Sequence, residues 1–286
     1  MEFTKGMLWH PQLSDPKGDR SARNRNRARL GHEQRTKAGG ITMVIDKGIG
    51  SNAYADFLET ASPYVDCIKF GFGTAVLYSD ELLLCKTALA RNHGIAVMTG
   101  GTLLETAVQQ GVVSSFFDSI CKLGFTAVEV SDGTIELPRH RRTELIKEGV
   151  RRGLRVFTEY GKKLEGSLIQ IPELIRTFEQ DREAGAELLT IEARESGMGV
   201  GLFDREGKCR RDTLESVAAC LPEQHILWEA PLKSQQVELI TSFGANVNLG
   251  NIVPGDAITL EAMRRGLRSD TFPSPSVSEE AIVYMI

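Results

Sequence analysis

Glu192, Arg194 and Glu195 follow directly on an apolar run in the stretch ELLTIEARESGMGVGLFDREGK (187–208). Burying a charge is costly unless it is paired or bound to a metal or ligand. A core strand that ends this way is therefore either a solvated edge or one wall of a site. The ending recurs along the chain. Asp46-Lys47 closes ITMVIDK, Lys69 lies in CIKFG, Glu129 in AVEVSDG, Glu159 in RVFTEYG, Glu229 in ILWEAP and Asn248 in NVNLGNI. Carboxylates at 46, 129, 159, 192 and 229 suit a hard cation such as Mg2+ through oxygen ligands. Lys69, Lys162 or Lys163, and Arg194 suit an anionic substrate or the donation of a proton. Glycines behind these runs, among them Gly71, Gly100, Gly101, Gly161 and Gly250, let backbone N–H groups approach an oxyanion. GGTLLE (100–105) and NLGNIVPGD (248–256) are the best phosphate candidates. His10, His32, His93, His140 and His225 all lie away from the ends of these runs, which argues against a His-ligated zinc or a Ser-His-Asp triad. What remains is carboxylate-plus-lysine chemistry on a small polyanion, and Mg2+-assisted formation of an enolate or aci-carboxylate fits it.

For these groups to meet, many strand ends must come to one place. Short apolar, β-branched runs occupy 41–46, 67–71, 95–101, 127–133, 155–161, 188–194, 226–231 and 246–252. Amphipathic stretches alternate with them, such as 80–93, 138–152 and 171–185, which carry apolar residues at helical spacing. Eight βα units predict a single (β/α)8 TIM barrel. A doubly wound open sheet is the alternative, but no strand–GxGxxG–helix fingerprint marks the first turn, and GMGVG (197–201) has the wrong spacing. In a barrel strand alternate residues face the axis and the helices. Leu189, Ile191 and Ala193 then face outward, while Thr190, Glu192 and Arg194 face inward. The same rule turns Cys67, Lys69 and Gly71 inward, and likewise Ala127, Glu129 and Ser131. It does so for Phe157, Glu159 and Gly161, for Leu227 and Glu229, and for Asn246, Asn248 and Gly250. A closed barrel has no edge, so the charges are predicted to converge on the C-terminal mouth, where barrels build their sites.

The rest of the chain narrows the class. The net charge of −4 gives no general reason to bind nucleic acid, and there is no apolar run of roughly 18 residues to cross a membrane. No apolar signal core opens the chain, and the five cysteines form no CxxC pair, so a reduced, cytoplasmic protein with cysteines in the core is expected. Residues 1–36, rich in Arg, Asn and Gly, read as a disordered basic arm, residues 37–272 as the barrel, and 273–286 as a tail that starts as a Pro/Ser linker and ends apolar.

Several long stretches, in order, resemble the phosphosulfolactate synthase family: ITMVIDKG, DCIKFGFGTA, LTIEARESGMGVGLFDREGK, WEAPLKSQQVELITSFGANVNLGNI and MRRGLRSDTF. The resemblance runs from about 36 to 272, and EYGKK (159–163) matches the family's Glu-x-Gly-Lys-Lys, with Tyr160 where a smaller aliphatic residue is common. This family makes the first intermediate of archaeal coenzyme M synthesis and has relatives in spore-forming bacteria and plants. The resemblance implies a (β/α)8 homotrimer that adds sulfite to phosphoenolpyruvate with Mg2+, giving (R)-2-phospho-3-sulfolactate through an aci-carboxylate.

Combined with the residues, it implies a division of labour. Some of Glu129, Glu159, Glu192 and Glu229 hold Mg2+. Lys162 or Lys163 protonates C2, with Lys69 and Arg194 as further catalytic candidates. Asp46, Lys47, Gly100, Gly101, Asn248, Gly250 and Asn251 contact substrate. Two rivals stand beside this reading. One is another barrel lyase or aldolase on a phosphorylated three-carbon acid, with Lys69 forming a Schiff base. The other is a non-catalytic member, like the plant relatives linked to heat tolerance.

Overall fold

In a computed structural model of the 286-residue chain, residues 9–18, 20 and 40–273 are described. The β-branched runs form β1 (Thr42–Asp46), β2 (Cys67–Phe70), β3 (Ala96–Thr99), β4 (Ala127–Val130), β5 (Arg155–Tyr160), β6 (Leu188–Ile191), β7 (Ile226–Glu229) and β8 (Leu249–Ile252). All pair in parallel with their sequence neighbours, and β8 closes on β1. Each of the eight expected runs thus holds one strand of a closed (β/α)8 barrel. The outer layer comprises α1 (Ser51–Ala61), α2 (Asp80–Asn92), α3 (Gly101–Gln109), α4 (Val113–Lys122), α5 (Arg139–Arg151), α6 (Ile171–Ala184), α7 (Arg211–Cys220), α8 (Lys233–Phe243) and α9 (Ala257–Arg264). Two of these, α3 and α4, share the connection between β3 and β4, because Gly111 turns the chain with a left-handed φ of +69°. No helix among the described residues is long and apolar enough to cross a membrane.

Period two sets the layers. Ile41, Met43, Cys67, Met98, Phe157 and Leu227 pack on one another inside the barrel, while Val44, Ile68, Val128, Leu189 and Trp228 lie under the helices. In β1 this places Met43 and Ile45 inside and turns Asp46 outward, which corrects its expected position at the mouth. Asp46 is fully buried in the helix layer, ion-paired with Lys86 and accepting the N–H groups of Gly48 and Ile49. The Lys86 ammonium is boxed by the rings of Tyr54, Phe70 and Tyr78, at 4.7, 5.2 and 4.6 Å, so the pair braces α2 against β1 and β2. The cysteine expectation also needs correcting: Cys67 is buried, but Cys85, Cys121 and Cys220 are exposed.

Asn248 closes the opposite end of the barrel from the mouth. Its Oδ1 accepts the Ile41 N–H (2.9 Å) and its Nδ2 donates to the Ile226 carbonyl (2.9 Å). It therefore ties together the N-terminal ends of β1, β7 and β8, and its expected substrate contact falls away. Inward parity was right, but height along the strand was not.

Part of the basic arm joins this floor. Residues 1–8, 19 and 21–39 lie outside the described residues, as do 274–286 of the tail. Arg20, expected in a disordered arm, is instead fully buried, with Nη2 2.8 Å from Glu261 Oε2 and Nη1 donating to Asn246 Oδ1 at 2.9 Å. Burial alone would raise the Glu261 carboxyl, but Arg20, with Arg264 beside it, holds it at about 2 instead of 4.5. A carboxyl depressed in the folded state stabilises the fold above its unfolded value, and that stability is lost as pH falls towards the folded one. Arg20→Met is thus expected to cost on the order of 3 kcal/mol at pH 7. Thermal melts of variant and parent should converge between pH 4.5 and 2. A gap that stays constant with pH would show that Arg20 acts by packing alone. Deleting residues 1–34 is expected to lower Tm in the same way while leaving turnover nearly intact.

Candidate active site

At the C-terminal ends of the strands opens a cavity of about 250 Å3, walled by the inward charges. A larger cleft of about 420 Å3 lies outside the barrel between α2, α3 and α4, but Leu83, Leu103 and Phe116 make it apolar and it carries none of the inward glutamates. The mouth is where the chemistry is. Lys69, on β2, sends Nζ between Glu229 Oε1 (2.9 Å) and Glu129 Oε1 (3.2 Å). The second oxygen of Glu129 accepts the Gly101 N–H (2.8 Å), and that of Glu229 accepts the Ala193 N–H (3.0 Å). Across the mouth, Lys163 Nζ lies 3.1 Å from Glu159 Oε1 and 3.5 Å from Glu192 Oε2, and donates to Thr102 Oγ1 at 3.3 Å. The Arg194 N–H donates to Glu192 Oε1.

Four buried glutamates against two lysines leave an excess of negative charge. Burial pushes the Glu192 carboxyl well up, and the neighbouring Glu159 and Glu229 carboxylates push it further. Burial also raises Glu159, but Lys163 and Lys69 outweigh it and hold that carboxyl down. Burial moves Glu129 up to about 7 against the pull of Lys69. For both lysines burial favours the neutral amine, yet Glu129 and Glu229 keep Lys69, and Glu159 and Glu192 keep Lys163, firmly as ammonium ions. A raised and a lowered carboxyl side by side give the pair unequal affinities for a proton, Glu192 the greater.

The same feature makes the place suited to a cation. One oxygen each from Glu159, Glu192 and Glu229 lie within 4.8 Å of one another, all from buried residues. Among the described residues Glu159 Oε1 and Glu192 Oε2 make no well-aligned hydrogen bond, and each lies against the Lys163 ammonium and the neighbouring carboxylates. Hard oxygen donors with free lone pairs are what Mg2+ takes. By their mutual distances these three glutamates fit the expected ion, although Glu229 shares the Lys69 ammonium with Glu129; Glu129, the fourth candidate, lies outside the three-oxygen set.

The other expected residues separate. Lys163 reaches the mouth, whereas Lys162 turns away, its Nζ donating to the carbonyls of Asp132 (2.7 Å) and Ile135 (3.2 Å). Arg194 lines the cavity from a left-handed backbone, φ +62°, and no side-chain partner holds its guanidinium among the described residues. Asn251 also lines it, for a reason that strict alternation conceals. Thr42 pairs with Leu249 but Val44 with Ile252, so β8 carries an extra residue, a β-bulge. The bulge and a φ of +56° turn Asn251 into the mouth, where its Oδ1 is buried without a donor. Lys47 stands on the rim, ion-paired with Glu195.

The glycines act by what they lack. A Cβ on Gly101 would lie 2.2 Å from Ser131 Oγ, and one on Gly100 would lie 2.8 Å from the Phe72 nitrogen. These positions let α3 start tight against β2 and β4. The Gly101 N–H, expected to meet phosphate, is spent on Glu129. Gly250 sits deeper, against Met43 and Leu227, within the core rather than the cavity wall. Sequence reasoning missed Phe72, which lines the cavity, and Arg142 and Gln235, which hold its loops, and it took Thr102 and Glu105 only as part of the phosphate candidate GGTLLE. Arg142 clasps Asp181 and donates to the Glu159 carbonyl (3.0 Å). Gln235 Nε2 donates to the carbonyls of Gly197 (2.7 Å) and Gly207 (3.1 Å), fixing the glycine-rich loop after β6. Their signal was weak: polar residues at the apolar positions of amphipathic helices.

A closed eight-stranded barrel with its charges gathered at the C-terminal mouth defines the class of (β/α)8-barrel enzymes. Comparison with known proteins narrows that class. The chain belongs to the (2R)-phospho-3-sulfolactate synthase (ComA) family, whose model matches residues 31–270. It is 41% identical over 235 residues to the phosphosulfolactate synthase of Methanocaldococcus jannaschii, covering 82% of this chain and 94% of the relative. The Bacillus subtilis phosphosulfolactate synthase is 36% identical over 236 residues, covering 82% and 92%. Among solved structures, the YdjI aldolase from Escherichia coli K12 superposes with a TM-score of 0.52 over 82% of each chain, at 12% identity, a likeness of fold alone.

Proposed function

We propose that the chain adds sulfite to phosphoenolpyruvate, giving (R)-2-phospho-3-sulfolactate. The observation that carries this reading is the mouth itself: three converging glutamates able to hold a cation, with an ammonium ion, Lys163, bound between two of them. The sulfite sulfur forms a bond to the methylene carbon. The π electrons move towards C2 and the carboxylate, and C2 then takes one proton. No other bond breaks, and nothing is oxidised or reduced overall. Glu159, Glu192 and Glu229 would hold Mg2+, which when bound supplies counter-charge for the substrate carboxylate as negative charge develops there.

The chain's own groups do the rest. Lys163 donates the proton to C2. Lys69, fixed by Glu129 and Glu229, offsets part of the negative charge with which those two carboxylates would otherwise repel an anion. Arg194, with no carboxylate partner among the described residues, holds the phosphate or the sulfite, and the Asn251 amide is available to the same ligand. Support for a Schiff-base aldolase on Lys69 is weaker, because its ammonium is buried between two carboxylates. A non-catalytic role sits poorly with a mouth that retains every charged group named here.

Phosphosulfolactate should form from phosphoenolpyruvate and sulfite in the presence of Mg2+, stop after stripping with EDTA, and return when Mg2+ is restored. Phosphorus NMR of the reaction reads all three states. Full turnover in the stripped enzyme would take the cation out of the mechanism.

A further inference from the structure

Glu105 has no part in the reaction just described, yet it is placed as if it governed one. It lies on α3, only 2% exposed, and no lysine or arginine pairs with it among the described residues. Its charge is met by hydrogen bonds from one loop, residues 131–135 after β4. The Ser131 hydroxyl and the Gly133 N–H (3.2 Å) donate to Oε1, and the N–H groups of Thr134 (2.8 Å) and Ile135 (3.0 Å) to Oε2. Consecutive backbone N–H groups curled round one anion make a nest, and here the anion is the protein's own side chain.

The loop so held is the seat of Lys163. The Gly133 carbonyl accepts the Lys163 N–H at 3.1 Å. The Lys163 stem crosses Gly133 where a side chain would stand: a Cβ there would lie 3.1 Å from both Cγ and Cε. At its far end Lys163 Nζ donates to Thr102, on the first turn of the helix that carries Glu105. Backbone and stem of this lysine rest on the loop that Glu105 gathers, and its ammonium, paired with Glu159 and Glu192, is also tied to α3 through Thr102. By contrast, Glu159, Glu192 and Glu229 stand on or just after β5, β6 and β7, away from the loop.

We infer that Glu105 is a positioning residue for Lys163: it shapes the 131–135 loop so that the ammonium lies over the reacting carbon. The inference rests on the proposed role of Lys163 as proton donor. Glutamine at 105 keeps the shape of the side chain but turns an N–H2 group towards N–H donors. The loop must then shift, and a displacement of about 1 Å at a reacting group costs on the order of a hundredfold in rate.

The test is a double-mutant cycle on the full chain with phosphoenolpyruvate and sulfite. Glu105→Gln is made alone and with Lys163→Met, and Mn2+ affinity is read in parallel by electron paramagnetic resonance. The expected result is a kcat lowered by about thirtyfold or more in the single variant, with KM and Mn2+ affinity within about twofold of the parent. In the Lys163→Met background the same change should cost almost nothing further. Ser131→Ala, which removes one donor to the same carboxylate, should give a smaller loss with the same dependence on Lys163, and it decides the matter if Glu105→Gln does not fold. Losses that multiply fully in the Lys163→Met background, or an unchanged kcat, would overturn the inference. A Lys163→Met enzyme with full turnover would instead remove the proposed proton donor itself.

Discussion

Lys163→Met is expected to lower kcat by about a thousandfold, and Lys162→Met, which frees two carbonyls of the 131–135 loop but leaves its hold on Glu105, by no more than about thirtyfold. The two lysines are neighbours in sequence with the same charge, so their difference isolates position. A placed proton donor contributes about 10²–10⁴ in rate, and of these two Lys163 is the one with its ammonium in the mouth, 3.1 Å from Glu159. Lys162 spends its ammonium on the carbonyls of Asp132 and Ile135, outside the cavity wall. Steady-state kinetics of both variants, with thermal melts in saturating Mg2+ to exclude unfolding, make the comparison. Equal losses would mean that the lysines act through overall charge. A larger loss at Lys162 would mean that the loop after β5 rearranges when substrate binds.

The strand parity makes an equally large contrast within β6. Glu192→Gln and Arg194→Met should each lower kcat/KM by about a hundredfold or more, near 3 kcal/mol of lost charged contact, while the fold survives. Glutamine at 192 can still accept the Arg194 N–H, but it takes a charge from the three-glutamate cluster. Ile191→Asn should do the reverse. Ile191 is 2% exposed in the apolar layer under the helices, and an unpaired amide there costs about 3 kcal/mol of stability. Melts and kinetics on the three variants read both axes. A Glu192→Gln protein that unfolds while Ile191→Asn melts like the parent would reverse the assigned faces of β6.

What could be read in advance follows from geometry. Lys69, Glu129, Glu159, Glu192 and Glu229 were legible because each alternates with an outward apolar neighbour, so period two states their direction. Asp46 was misplaced because TMVID is apolar at Met43, Val44 and Ile45, and the pattern contains no alternation to read. Asn248 was given the correct face and the wrong height. Alternation says nothing about level along the axis, and β8 enters the barrel with Asn248 still beside the start of β1. Asn251 reaches the mouth only through the bulge, a property of the pairing of two strands and not of either alone. The choice between Lys162 and Lys163 falls past the end of β5, where the alternation rule stops and the loop gathered by Glu105 takes over. Arg20 falls in a stretch whose composition predicts a disordered arm, because its partners, Asn246 and Glu261, lie more than two hundred residues away.

The central claim is a chemical one: Lys163 delivers a single proton to C2 of phosphoenolpyruvate as sulfite bonds to its methylene carbon. Running the reaction in D2O with the parent and with Lys163→Met tests it most directly, because the Lys163 ammonium exchanges its protons with solvent and the variant should form the deuterated product about a thousandfold more slowly. Proton and carbon NMR should show phosphosulfolactate with one deuteron at C2 and two protons retained on the sulfonate-bearing C3. Deuterium at C3, pyruvate with free phosphate, or phosphoenolpyruvate left intact beside sulfite and Mg2+ would contradict the account.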